Sequence, residues 1–568
     1  MDKKTFLELL IEAKILTNVT AGDVPALAKW GLSITACGQT LIEGRRVELA
    51  VGVTSDFPRR LPLFFLLNKV DFGTLPHVEG GLICYAQDDA LVLDIDNSLG
   101  ILQAAFEMAA ITLSEGITGK NEADLYKEYG SYWQRLKNST LLFVDITVHD
   151  RVMPISFAKL KNKGPQFAFS ENNRSLRTFE RLFKNEQKSP TTYKGIFIPL
   201  RAGSKIWVPA EGEELTCLQL QELVWPNLTK ENQERLRVML EKTRLVDLLV
   251  FCLPQTDGYY TLFGVHLMGI NHAKHPLLLE VPVKIVPLVV SRVDAEYLLT
   301  RGGTGRKFLE KRVLVVGGGA VGGYVCDALV KSAVINVDVV DKDILLPENC
   351  YRHICGFQYV TENKAKSLKM MLESLYPHAH VEAISLSIEN ALEQGKINLS
   401  VYDAIIVATG NATSNLHLNR IFRQAVPAIP VLYTWLDPFG IGGHCLVTNL
   451  TPKGCFQCLY ENESLHNRAS FADKKQTKSF VKTLAGCSSP YVPYAALDAM
   501  QTAELAVRSL LDVFTGKKVT NAIYSWKGNP DLFLEEGYQL APRFAQTEEQ
   551  RQQAKSLFVV PNCTVCGN

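Results

Sequence analysis

The stretch KRVLVVGGGAVGGYVCDALVKS, residues 311–332, constrains the fold more than any other part of this chain. Val313 to Val316 are apolar and mostly β-branched, so they read as a buried strand. Gly317-x-Gly319-x-x-Gly322 comes next, and a helical pattern starts straight after it. Glycines in that turn let backbone N–H groups approach phosphate oxygens at a helix N-terminus. A second strand, VINVDVVD, ends at Asp341, 19 residues past Gly322, where an acid commonly reaches a ribose hydroxyl. Strand and helix patterns keep alternating beyond it, which argues for a parallel sheet.

At 568 residues the chain is too long for one core. We divide it into residues 1–125, 126–300 and 301–568, with RGGTGRKFLEK (301–311) as the last junction. The first part reads as α+β: an opening helix, the strands VELAVGVT and ALVLDI, and a long helix from Asn97. The second mixes short strands (TLLFVDITV, KGIFIPL, LLVFCL) with the helix TKENQERLRVMLEK. The whole is an α/β multidomain protein. A net charge of +1 points to neither a nucleic acid nor a membrane surface as partner. No apolar run approaches the roughly 20 residues a membrane helix needs. The amphipathic N-terminus lacks the marks of a signal peptide, so we expect a cytoplasmic protein. In that compartment disulfides are rare, and the 13 cysteines invite explanation by metal binding or catalysis.

The residues after Asp341 decide which nucleotide the glycine turn serves. A dehydrogenase or flavoprotein would share the loop. Here Asp341 leads into DKDILLPENCYRH, which brings Asp343, Asn349 and Arg352, and Lys364 comes twelve residues later. An arginine and a lysine beside the ribose acid suit a triphosphate, whose charge must be neutralised during attack at the α-phosphorus. In this order and spacing, residues from about 300 to 568 resemble the Rossmann-like adenylation domain of the ubiquitin-activating and ThiF/MoeB superfamily. The resemblance implies ATP with Mg²⁺, held by Gly317, Gly319, Gly322, Asp341, Asp343, Asn349, Arg352, Lys364 and Asn411. In it Asp341 takes the ribose, Arg352 and Lys364 take the phosphates, and Asn349 orders the site. There is one departure. In ATGNATSN the acid usual before Asn411 is Gly410. Asp343 or Asp437 then becomes the substitute magnesium ligand, or ATP brings its own. Arg301 or Arg306 would supply a further phosphate contact, in cis or across a homodimer formed through the adenylation domain.

Two CxxC pairs, Cys455/Cys458 and Cys563/Cys566, offer four soft thiolates, which suits tetrahedral Zn²⁺. The same superfamily carries two such pairs in these places. Cys487, in a polar loop ahead of a long amphipathic helix, resembles the acceptor cysteine of activating enzymes that load their cargo on sulfur.

Near the other end, FPRRLPLFF and PHVEGGLIC followed by a long helix resemble a divergent ubiquitin-conjugating domain. Cys84 would be its catalytic thiol. Leu75-Pro76-His77 stands where that family has His-Pro-Asn, so His77 would replace the Asn that stabilises the oxyanion. The chain as a whole resembles the bacterial fused conjugating–activating enzymes, some of which serve cyclic-oligonucleotide antiphage signalling. That resemblance implies adenylation of a protein C-terminus, thioesters on Cys487 and then Cys84, and ligation to an acceptor protein or small amine. The implied cargo is a cGAS-like nucleotidyltransferase. A sulfur-carrier adenylyltransferase without a conjugating step and an inactive nucleotide-binding scaffold are the competing readings.

Overall fold

The computed structural model describes residues 2–22, 27, 30–86, 91–159, 166–169, 192–204, 206–210, 212–242, 246–255, 258–268, 275–300, 302, 307–461, 466–473, 478–483 and 490–567. Cys487, Arg301 and Arg306 lie outside them. The described residues divide into two compact units, one ending at Arg292 and the other starting at Val293.

The first unit begins with helix α1 (Lys3–Ala13), capped by the Asp2 side chain, which accepts from the Thr5 N–H. An antiparallel sheet comes next: β1 (Thr17–Ala21), β2 (Ile34–Ile42), β3 (Arg45–Val53), β4 (Leu63–Leu66), β5 (Val78–Glu79) and β6 (Leu82–Ile83), in the order β1-β2-β3-β4-β6-β5. Helix α2 (Ser98–Thr118) closes this layer with Ile101, Leu102, Ala105, Ala109 and Leu113 buried, a 3.6-residue stripe. The described part of ALVLDI, residues 91–95, does not form a strand. Leu91 to Asp94 make no ladder, and Val92 is fully exposed. Apolar content alone does not make a strand where no sheet edge is offered.

Beyond α2 the chain forms two short helices, α3 (Asp124–Lys127) and α4 (Tyr129–Gln134), and then a closed barrel. Its strands are β7 (Thr140–Asp145), β8 (Met153–Lys159), β9 (Gln166–Phe169), β10 (Thr192–Pro199), β11 (Leu248–Pro254), β12 (Tyr260–Met268) and β13 (Lys284–Arg292). Their order is β10-β11-β12-β13-β7-β9-β8, and β8 pairs back onto β10. Helices α5 (Cys217–Val224) and α6 (Lys230–Lys242) lie between β10 and β11. The sequence shows short strands here but no sign of closure; the barrel arises from long-range pairings that local periodicity does not encode. Helix α4 packs on it. The Tyr129 and Trp133 rings lie 4.8 and 4.7 Å from the Phe263 ring, and the Trp133 indole donates to Gly264 O at 3.0 Å.

The second unit is a seven-stranded sheet in the order β16-β15-β14-β17-β18-β19-β22. The strands are β14 (Arg312–Val316), β15 (Asn336–Val340), β16 (His380–Ile384), β17 (Ala404–Val407), β18 (Val431–Leu436), β19 (Gly442–Thr448) and β22 (Ala522–Lys527). The first five run parallel, and β19 pairs antiparallel with both β18 and β22. Parallel strands are covered on both faces, and their near-continuous Val/Ile/Leu content reflects this. The covering helices include α7 (Ala320–Lys331), α8 (Lys364–Leu375), α9 (Ala412–Ala425) and α10 (Ala496–Phe514). A short hairpin of β20 (Lys482–Thr483) and β21 (Pro490–Tyr491) brackets the stretch that contains Cys487. No helix among the described residues is long and apolar enough to cross a membrane.

Phe263→Ala removes the ring on which Tyr129 and Trp133 rest. It should destabilise the first unit by about 3–5 kcal/mol, read as a lower urea midpoint in tryptophan fluorescence.

Candidate functional sites

The strand order of the second unit reverses between β15 and β17 on either side of β14, and the glycine turn sits at that switch point, at the carboxyl ends of the strands. Three glycines there do different jobs. Gly317 has φ +96°, and a Cβ on it would come within 2.8 Å of Ala408 O. A Cβ on Gly322 would overlap the carbonyl oxygen of Gly317, so this glycine lets α7 lie against the turn. A Cβ on Gly319 would meet nothing within 4 Å. Packing does not demand glycine at 319, and the bare backbone there leaves open space for a ligand to come close.

Gly318 is gripped from both sides. Its N–H donates to Asp341 Oδ2 at 2.7 Å, and its carbonyl lies 2.7 Å from His353 Nε2. The Cys355 N–H donates to His353 Nδ1, so we assign the ring proton to Nε2, which donates to Gly318 O. Burial holds the His353 pKa below its ordinary value and keeps the ring neutral. Asp341 Oδ1 accepts from the Asp343 N–H at 2.8 Å, and each of its oxygens retains capacity for a hydroxyl donor. Asn363 Nδ2 donates to the carbonyls of Asp341 and Asp343. Reading the sequence misses both His353 and Asn363. Asn363 does carry a signal, since it caps α8 just before Lys364.

Gly317, Gly319, Asp341, Asp343, Lys364 and Asn411 line one cavity of about 320 Å³, with Leu386 and Ile388 as apolar wall. The half-exposed Asp343 pairs with Lys364 Nζ at 3.3 Å. Asn411 caps α9 through the Ser414 N–H. Gly322, Asn349 and Arg352 do not line this cavity. Asn349 Oδ1 accepts from the Leu346 N–H and shapes its own turn. The Arg352 guanidinium lies over the Tyr494 ring, 4.9 Å from its centroid. Gly410 has φ +66° and faces open space. Asp437 is buried, and its oxygens accept from Ser470 Oγ and the Phe471 N–H and lie 3.0 Å from His444 Nε2. Of the two substitute acids, Asp343 is the accessible one on the nucleotide side.

Cys455, Cys458, Cys563 and Cys566 are all buried, with their sulfurs within 4.8 Å of one another. Two of the sulfur pairs are 3.8 and 3.5 Å apart. A tetrahedron with Zn–S arms of about 2.3 Å has edges of about 3.8 Å, so the donor set fits a zinc ion. The Gly454 N–H and Asn419 Nδ2 donate to these sulfurs, as suits thiolates.

In the first unit Cys84 is exposed, directly after β6. Its N–H donates to His77 O at 2.8 Å across the β5–β6 turn. His77, at φ +58°, lies with Nδ1 2.7 Å from Glu128 and Nε2 3.2 Å from Asp124. Both acids come from α3 and the start of α4, the helices that pack beside the barrel, and no local sequence signal links them to His77. Arg135 pairs with Glu79 at 3.2 Å. Partial burial of the thiol, then Glu79 and Glu128, raise the Cys84 pKa, and Arg135 opposes them. The resting sulfur is a thiol.

Comparison with known proteins fits both sites. Residues 298–562 match the ThiF family, and residues 29–142 match Prokaryotic E2 family B. The chain therefore joins a ThiF-family match and a prokaryotic E2 match on one polypeptide, the arrangement of a fused E1/E2-like enzyme. Among particular relatives, it is 26% identical to the ATP-dependent ubiquitin transferase-like protein Cap2 of Pseudomonas aeruginosa (strain BWHPSA011 / Pa011), over 80% of this chain and 84% of that protein. It is 22% identical to the protein of the same name from Escherichia coli (strain TW11681), over 92% and 91%.

Gly319→Ala and Gly322→Ala separate the roles of the two glycines. Gly319→Ala should cost less than about 1 kcal/mol of stability yet weaken ATP binding about tenfold or more in calorimetric titration. Gly322→Ala should lower the melting temperature of the apo-protein.

Proposed function

We propose that this chain activates the C-terminal carboxylate of a carrier protein with ATP and passes it through two thioesters to an amine. The observation that carries this reading is the pairing, on one polypeptide, of a glycine cradle ringed by Asp341, Asp343 and Lys364 with an exposed thiol at Cys84. The relatives' printed name, ATP-dependent ubiquitin transferase-like protein, supports it. A cGAS-like nucleotidyltransferase as cargo and a role in antiphage defence come from the family resemblance. The two thiols and the four-cysteine cluster call for a reducing compartment, the cytoplasm. Dimerisation through the adenylation domain belongs to the same reading.

In the first step a carboxylate oxygen of the cargo attacks the α-phosphorus of ATP. Pyrophosphate leaves and an acyl-adenylate remains. Asp341 accepts from the ribose hydroxyls, Lys364 and Arg352 offset phosphate charge, and the N-termini of α7 and α9 face the same anion. Asp343 is the residue that would hold the magnesium accompanying ATP, which would offset phosphate charge there. The Cys487 thiolate then attacks the acyl carbon, and AMP leaves. Cys84 takes the acyl group by thioester exchange, losing its proton as it attacks. An amine nitrogen finally displaces the Cys84 thiolate, a good leaving group. Tethering both thiols to one chain raises their effective concentration for the exchange. His77 has both ring nitrogens committed to carboxylates, so in this reading it positions the Cys84 turn through its carbonyl. Cys455, Cys458, Cys563 and Cys566 would hold a zinc ion that ties the segment around Cys563 to the loop after β19, and its binding energy would add to folding.

With ATP, Mg²⁺ and candidate cargo, wild type should form reductant-sensitive adducts on non-reducing gels. Cys487→Ala should abolish all of them, and Cys84→Ala should leave one in the second unit. Pyrophosphate exchange without any adduct would favour the sulfur-carrier reading. Elemental analysis should find about one zinc per chain, and Cys563→Ser should remove it and lower the melting temperature.

A further inference from the structure

A second cavity of about 320 Å³ adjoins the nucleotide cavity, sharing Gly319, Ala408 and Thr409 with it. The N-termini of α7 and α9 open where the two meet, since Ala320, Val321 and Ala412 line the second. Two positive helix ends therefore converge on the junction, where a carboxylate would meet the α-phosphate. The far wall is Trp435, Phe456, Tyr460, Val492 and Tyr494.

This wall is held rigidly. Trp435 stacks on the fully buried His444 at 5.0 Å and meets the Phe456 ring edge-on at 5.8 Å; Phe456 lies 5.7 Å from Tyr460. His444 is fixed by Asp437 on one nitrogen and Ser525 on the other. Asp437, the one charged lining residue of this cavity among the described residues, already has three partners. A charged side chain entering here would find no uncommitted charge in that lining, and an unpaired ion would be desolvated. The volume is at the lower end of those that hold organic ligands, and a terminal glycine would leave it nearly empty. Asn415, 2% exposed, also lines it. Its amide oxygen accepts from Thr409 Oγ1 at 2.7 Å, which leaves the NH₂ to donate to a main-chain oxygen.

We infer that this cavity receives the side chain of the cargo's terminal residue and selects an apolar residue larger than glycine. The inference rests on the adenylation reading and names its substrate class.

The test is ATP–pyrophosphate exchange by the full chain with hexapeptides that differ only in the last residue: Gly, Asp, Lys, Leu or Phe. Leu and Phe peptides should exceed the Gly peptide by about tenfold or more in kcat/KM, the scale on which a hydrophobic pocket discriminates added methylenes. Asp and Lys peptides should fall below Gly. Trp435→Ala should shrink the Leu-over-Gly advantage to about threefold or less. Val492→Trp should fill the cavity and lower kcat/KM for the Phe peptide at least about tenfold more than for the Gly peptide, and it keeps the test open if Trp435→Ala fails to fold. Exchange with Gly, Asp or Lys peptides equal to or faster than with Leu and Phe would overturn the subsite and leave adenylation standing. No exchange with any peptide would overturn adenylation, and the subsite with it.

Discussion

The nucleotide site depends on one short backbone segment held in a single shape. Gly318 donates to Asp341 and accepts from His353, so the peptide units on both sides of it are fixed before any ligand arrives. A backbone anion cradle works only when its N–H groups point the right way without further cost, and buried hydrogen bonds provide that order. The same Asp341 accepts from the Asp343 N–H, and Asn363 ties both carbonyls to the start of α8. The turn, Asp341 and the helix that carries Lys364 form one hydrogen-bonded body.

The sulfur site is built by different means. Cys84 follows a two-residue strand, and such a strand has little stability of its own. Its order comes from His77, whose ring is bridged to Asp124 and Glu128 while its carbonyl holds the Cys84 N–H. The two acids sit on helices anchored by Tyr129 and Trp133 against Phe263. The barrel thereby contributes to the geometry of a thiol in the preceding sheet. Partial burial, and then Glu79 and Glu128, hold the Cys84 thiol above its ordinary pKa, so one of the acids that steadies the turn also disfavours the thiolate.

The four-cysteine cluster joins residues far apart in sequence. Cys455 and Cys458 lie in the loop after β19, and Cys563 and Cys566 lie at the C-terminal end, yet their sulfurs come within 4.8 Å. Buried beside Phe456 and Phe558, they belong to the core cluster that includes Tyr433. The ring contacts continue from Tyr433 through Phe456 to Trp435, linking this cluster to the aromatic wall of the cavity that adjoins the glycine turn.

The sequence by itself determined the local features: strand β14, the glycine turn, the acid after β15, the paired CxxC motifs and the amphipathic helices α1, α2 and α6. These depend on short spacings and on side-chain period, both visible in one dimension. Tertiary structure alone decided which residues hold them. His353 against Gly318, Asp124 and Glu128 against His77, and the closure of the barrel join residues 35 or more positions apart or arise from strand pairings with no local signature. It also decided that residues 91–95 make no strand, that Asp437 is spent on internal donors and that Asp343 faces the nucleotide cavity. A carboxylate's availability depends on which donors surround it in space, and sequence spacing carries no record of that.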